Sequence, residues 1–339
     1  MRFLTGLIFI LLCSKSFALK GSAEYSEATD VFEIMDHVSM WHGSLSRSYI
    51  NEWQKRFPLN LKDKGILAEY KKIRLKHHKV VVSEGTDVFG KMPIGYDRLS
   101  KAFYSSKSIG EALKKLEKKK IDKEDIKFLK KFYKHFKDRI TLFVKESSQF
   151  QVKVLGLNQK WKNEKAHSYM KKFVKFVLGK KGRKIKTIMR PVWYPQGEKS
   201  RVDLRGPYLI IRIHPLETMS RWDIDLYLEK SVESIIHGQP INQRTNLSKI
   251  FRQRCRGRED ELQQSLKIVF AKMLPKSMNE KKKFELYNKW DKRTFINVYS
   301  KLLFPLASAE MKGKDKFSGK FMLQASKLCR EVHDLAFIP

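Results

Sequence analysis

The chain has 339 residues, of which 71 are Lys or Arg and 36 are Asp or Glu, giving a formal net charge of +35 at pH 7. With 42% hydrophobic and 12% aromatic residues it can bury a core, which excludes a disordered polyelectrolyte. The surplus charge points to polyanionic partners, or else to a lysine-rich surface that is simply solvated.

The first eighteen residues read as a Sec signal peptide: Arg2 is followed by an apolar stretch from Leu4 to Leu12, and Ser16-Phe17-Ala18 forms a small-x-small cleavage site. Cleavage after Ala18 predicts a periplasmic or secreted protein and, by removing Arg2 and Lys15, lowers the charge from +35 to +33. The apolar run falls short of the roughly 20 residues a transmembrane helix needs, and no later segment is long and apolar enough, so no transmembrane segment is expected. Cys13 leaves with the leader. The remaining pair, Cys255 and Cys329, predicts one disulfide in an exported chain, with two buried thiols as the alternative.

Residues 19–150 read as a helical region. Val31, Ile34, Met35, Val38 and Trp41 fall at helical spacing, as do Tyr49, Trp53 and Phe57. His37 and His42, five apart, point to different sides of a helix and read as structural; the adjacent His77 and His78 read as surface residues. A short strand is expected at Val80–Ser83 and a loop at Gly85–Tyr96. Ser108 with Glu111, and Asp122 with Asp125, carry the spacing of helix N-caps. After Asp122, Ile126, Leu129, Phe132, Phe136, Ile140 and Phe143 form one apolar stripe, with Lys123, Lys127, Lys130, Lys131, Lys134 and Lys137 on the other faces. Such a helix either packs its stripe into the core or lies on an anionic surface.

Residues 151–339 read as a mixed region with C-terminal helices. A helix over 163–178 has Phe173, Val174 and Val177 inward and Gly179 as its stop. Next come Lys180, Lys181, Arg183, Lys184 and Lys186, the densest cation cluster and the best anion-binding candidate. No aromatic is interleaved with it, and with export this makes nucleic acid an unexpected partner; an anionic envelope component or a protein partner fits better. Two β-rich segments follow, 184–194 and 207–213, then a helix from about Trp222 to His237. Further helices are expected over 245–254, 260–274, 279–287, 294–303 and 316–335, with Pro275 and Pro305 as punctuation.

The helix over 222–237 ends in Glu233-Ser234-Ile235-Ile236-His237. Coming after two β segments, the first ending in Trp193-Tyr194-Pro195, and closing with His237-x-x-Pro240, this order resembles that of gluzincin metallopeptidases among exported bacterial proteins, over about residues 184–303. In that family a His-Glu-x-x-His helix binds zinc through two histidines one turn apart, and its glutamate activates water. The resemblance puts Glu233 at the first histidine, Ser234 at the general base, His237 at the second histidine and Gln264 at the third ligand on a later helix. It implies a degenerate site: serine does not take a proton from water as a carboxylate does, and an amide is a poor zinc ligand. Glu233 and His237 share a helix face and can ligate a metal together or simply stabilise the helix. His214 is the other histidine whose place in the chain could bring it near.

The expected architecture is thus α+β, predominantly α-helical, with a small, mostly antiparallel sheet and a zincin-like half. The leading functional expectation is an exported, strongly basic protein that acts by binding and carries no resident cofactor. The alternatives are a zinc-dependent metallohydrolase using Glu233 and His237, and an envelope or polyanion binder. There is no Gly-x-Ser-x-Gly elbow, Walker loop or GxGxxG motif to suggest other chemistry.

Overall fold

The computed structural model describes residues 22–78, 97–119, 121–179, 187–277, 294–313 and 316–336. The leader, the expected strand at 80–83, the loop at 85–96, the cation cluster from Lys180 to Lys186 and the expected helix at 279–287 all lie outside them.

The fold is predominantly α-helical α+β. After a two-residue strand β1 (Ser22–Ala23) come α1 (Glu27–Ser39), α2 (Arg47–Arg56), α3 (Leu61–His77), α4 (Arg98–Tyr104), α5 (Ile109–Glu117), α6 (Lys123–His135) and α7 (Lys137–Ser147). Side-chain caps fix several starts. Ser26 accepts from the Thr29 N–H at 3.1 Å, Ser108 from Glu111 at 3.3 Å, and Asn60 and Asp63 close a reciprocal capping box at 2.8 and 3.2 Å. The basic helix after Asp122 breaks at Phe136 into α6 and α7. Ile126, Leu129, Phe132, Phe136, Ile140 and Phe143 are all buried, while the six lysines of the other faces stay exposed. The apolar stripe is therefore spent on this protein's own core, not left free for a membrane surface.

The chain continues through α8 (Phe150–Asn163) and α9 (Ala166–Leu178) into strands β2 (Ile188–Val192), β3 (Arg201–Arg205) and β4 (Tyr208–Arg212). Gly179 ends α9 with φ 59°, as its place in the sequence predicts. The strand order is β1-β2-β4-β3. β3 pairs antiparallel with β4 across a two-residue turn in which Gly206 has φ 58°, a left-handed conformation that suits glycine. β2 pairs parallel with β4, Ile188 opposite Tyr208 and Val192 opposite Arg212, and β1 pairs parallel with β2. The sheet is mixed, which corrects the expectation of a mostly antiparallel one. The unforeseen strand β3 takes the antiparallel place beside β4, so the two β-rich segments read from sequence meet in parallel. All five β4 residues are buried, the mark of a central strand covered on both faces.

Alternation along β4 divides the core. Tyr208 and Ile210 pack with α1–α7, while Leu209 and Ile211 pack with α8, α9 and the helices that follow the sheet. Those helices are α10 (Ile224–His237), α11 (Ile241–Arg252), α12 (Glu259–Ile268), a π turn over Val269–Met273, α13 (Leu274–Ser277), α14 (Thr294–Lys312) and α15 (Gly319–Ala336). Pro305 lies inside α14, where a helix stop was expected: the helix runs on, packed against α12 and α15, whose contacts outweigh the lost backbone bond. Cys255, just after α11, and Cys329 of α15 stand at disulfide distance, with Cα atoms 6.1 Å apart. No helix among the described residues is long and apolar enough to cross a membrane.

Candidate functional site

Helix α10 is capped by Asp223, whose carboxylate accepts from the N–H groups of Asp225 and Leu226 at 2.8 and 3.4 Å. It lies against β3, β4 and α12. One turn separates Glu233 from His237, which is buried at 6% exposure, and half-buried Ser234 sits between them. The Glu233 carboxylate is engaged by two cations, Lys230 Nζ at 2.9 Å and Lys267 Nζ of α12 at 3.6 Å. Burial alone would raise its pKa; Lys230, then Lys267, outweigh that and hold it below the usual carboxylate range. Gln264 is half-buried, one turn before Lys267 on α12. His214 belongs to a different neighbourhood: its Nδ1 accepts from the Leu216 N–H at 3.2 Å and its ring lies 6.1 Å from that of Trp193. Among the described residues no group of three or more His, Cys, Asp or Glu side chains is arranged to hold a metal ion.

The densest buried polar chemistry lies elsewhere, on α1. Every residue of this helix from Ala28 to Val38 is buried, including Asp30, Glu33, Asp36 and His37. Charged groups are rarely buried without partners, and here the neighbouring elements supply them. Arg74 of α3 grips Asp36 with Nε at 2.8 Å and Nη2 at 2.9 Å, and reaches Asp97 with Nη1 at 3.0 Å. Tyr70 donates to Asp36 at 2.6 Å. Arg212, at the end of β4, donates to Glu33 at 2.6 Å and to Asp203 of β3, while Tyr104 of α4 donates to the other Glu33 oxygen at 2.5 Å.

Of these, Glu33, Asp36, His37, Arg74, Tyr104 and Arg212 wall a pocket of about 360 Å³, open mouth included, that also takes in Trp41, His42, Ser44 and Arg205. The backbone N–H of Ser46 donates to His37 Nδ1 at 2.9 Å, so a neutral ring carries its proton on Nε2. Burial, then the nearby Arg212, lowers the His37 pKa to about 3, so the ring is neutral at physiological pH. His78, expected on the surface, is half-buried with its ring 4.8 Å from that of Trp41; His77 is also half-buried and meets Asp125 at 2.7 Å. These two readings are corrected: adjacency separated the rings, but both sides of α3's end are covered.

The sequence gives one clue to this site. The thirteen residues of α1 contain four acidic side chains and no Lys or Arg, in a chain where 71 residues are cationic. A helix face kept free of lysine in such a background is not a solvated face.

Asp30, on the same helix, faces the sheet, accepting from the Trp193 N–H at 2.6 Å and from the Tyr25 hydroxyl at 3.1 Å. Burial raises its pKa to about 7. A carboxyl whose folded pKa is raised stabilises the fold below its unfolded pKa, and loses that contribution as pH rises through 7. Asp30→Asn keeps the acceptor and removes the titration. Relative to the parent chain it should gain roughly 3 kcal/mol in unfolding free energy between pH 5 and pH 8. Denaturant titrations of both proteins at the two pH values check this; identical pH dependence would refute it.

Compared with known proteins, the chain matches no family model, no curated sequence and no solved structure.

Proposed function

We propose that this protein acts by binding, as an exported and strongly basic chain whose zincin-like helix carries a degenerate, non-catalytic site. The observation that supports this reading is the engagement of Glu233 by Lys230 and Lys267. Two ammonium groups occupy the electrostatic position a metal dication would take, and a cation bound there would be repelled by both. Ser234 adds no general base. The partner that suits the exported chain's net charge of +33 is an anionic component of the cell envelope, met by solvated lysines such as Lys123, Lys131, Lys134 and Lys137 on α6 and α7.

The test is the metal content of the protein purified without chelator, together with its retention on vesicles containing anionic lipid. Substoichiometric zinc is expected even after zinc is supplied, with vesicle binding that weakens steeply between low and physiological salt. About one zinc per chain, lost in His237→Ala, would overturn this reading in favour of a zinc-dependent hydrolase. Salt-independent retention would remove the envelope polyanion as the partner.

A further inference from the structure

We propose that the pocket between α1, α3 and the β3–β4 end of the sheet is a binding site for one carboxylate group of a small ligand. The reasoning is an inventory of its polar atoms. Three buried side-chain atoms of the lining have no hydrogen-bond partner among the described residues: His37 Nε2, Trp41 Nε1 and Arg212 Nε. With Ser46 donating to His37 Nδ1, all three are donors. The lining carboxylates are already served: Glu33 by Tyr104 and Arg212, Asp36 by Tyr70 and Arg74. What the pocket lacks is an acceptor.

Geometry selects which acceptor. The lining holds Arg74, Arg205 and Arg212 against Glu33 and Asp36, and Asp97 and Asp203 behind the arginines bring the cluster to three cations against four carboxylates, so what counts is which cation keeps open donors. Arg74 is fully engaged by its two aspartates. Arg205 is not: its nearest carboxylate, Asp203, is 3.6 Å away, beyond a hydrogen bond, and its side chain is 18% exposed. A guanidinium fork with open donors matches a planar carboxylate in a bidentate contact. His37 Nε2 stands 3.8 Å from Glu33 Oε2, so that proton remains available to a ligand. Buried donors left unmade are costly, and an oxygen ligand that meets them recovers that cost. Only about 20 Å³ of the space admits the centre of a water-sized group, so the enclosed part takes one small polar group such as a carboxylate while the rest of the ligand stays in the open mouth. Such a group comes either from a free small organic acid or from the C-terminus of a peptide.

Calorimetric titration of the whole protein at neutral pH and constant ionic strength distinguishes these. The probes are propionate, N-acetylalanine and N-acetylalaninamide, in chloride buffer. Both acids should bind saturably, and the amide at least about tenfold more weakly than N-acetylalanine, the loss of a charge-assisted pair. Tighter binding of N-acetylalanine than of propionate makes a peptide terminus the source; the reverse order makes it a free acid. Arg205→Met lies at a strand end outside the core and should keep the parent's circular dichroism while weakening both acids about tenfold or more. Trp41→Phe removes one donor and keeps a ring under Arg74, and should give a smaller loss. The proposal is overturned if neither acid binds, if the amide binds as tightly, or if folded Arg205→Met binds as the parent does.

Discussion

Replacing Arg74 with methionine should destabilise the protein by about 4 kcal/mol, the loss expected when a buried ion pair is broken from one side. Arg74 is 1% exposed and holds two carboxylates that are themselves buried, Asp36 at 6% and Asp97 at 7%. Its guanidinium also lies 4.5 Å from the ring centre of Trp41 and 4.9 Å from that of Phe32. Methionine fills much of the volume but leaves both anions without a counter-charge in a site largely shielded from water. They would respond by taking up protons, so the deficit should shrink as pH falls towards 5. The variant Arg74→Met with Asp36→Asn and Asp97→Asn separates the two contributions. It removes all the charges, keeps an acceptor for Tyr70 and a cap for α4 through Ser100, and should recover most of the loss. Denaturant unfolding of the three proteins at pH 7 and pH 5 is the measurement. A cost below about 1 kcal/mol for the single change would mean that the cluster is hydrated and contributes little.

The helical content and its faces were legible because they rest on local periodicity. Val31, Ile34, Met35 and Val38, the stripe from Ile126 to Phe143, and Phe173, Val174 and Val177 are buried where a 3.6-residue repeat puts them. Pairing in the sheet was not legible. Arg201–Arg205 reads as RVDLR, whose three charges hide a strand, and nothing local says that the segment 188–192 will lie parallel to 208–212. The break at Phe136 and the passage of α14 through Pro305 are likewise set by tertiary contacts that local rules do not contain.

The sites show the same division. The chain carries two Glu-x-x-x-His pairs at identical spacing, Glu33–His37 on α1 and Glu233–His237 on α10. The second drew attention because it ends a helix after two β-rich segments. The first lies on the helical repeat of Val31, Ile34, Met35 and Val38, with nothing local to mark it. What separates them is non-local. Lys230 and Lys267 neutralise Glu233, whereas Glu33 and His37 share a pocket with arginines from α3, β3 and β4, up to 179 residues away in sequence. Polar residues on a helix face inward when other elements bring them partners, and the sequence of one helix does not contain that information.

The second large effect concerns the Cys255–Cys329 pair. Its two residues are 74 apart in sequence and both buried, at 5% and 0% exposure, joining the end of α11 to α15. Closing a loop of that length restricts the unfolded chain, and on the chain-entropy account the bond contributes about 4 kcal/mol. Measured against the 5–15 kcal/mol typical of folded proteins, that is a large share. Unfolding the parent with and without dithiothreitol should therefore lower stability by about 4 kcal/mol. Cys255→Ala with Cys329→Ala should show a comparable loss and no further response to the reductant. If the native protein instead alkylates at two thiols before any reduction, and reductant leaves its unfolding unchanged, the pair is not bonded and the contribution vanishes. The result also bears on where the chain works. A stabilisation of this size persists only in an oxidising compartment, so a protein that depends on it would be weakened in the cytosol and sound outside it, as export predicts.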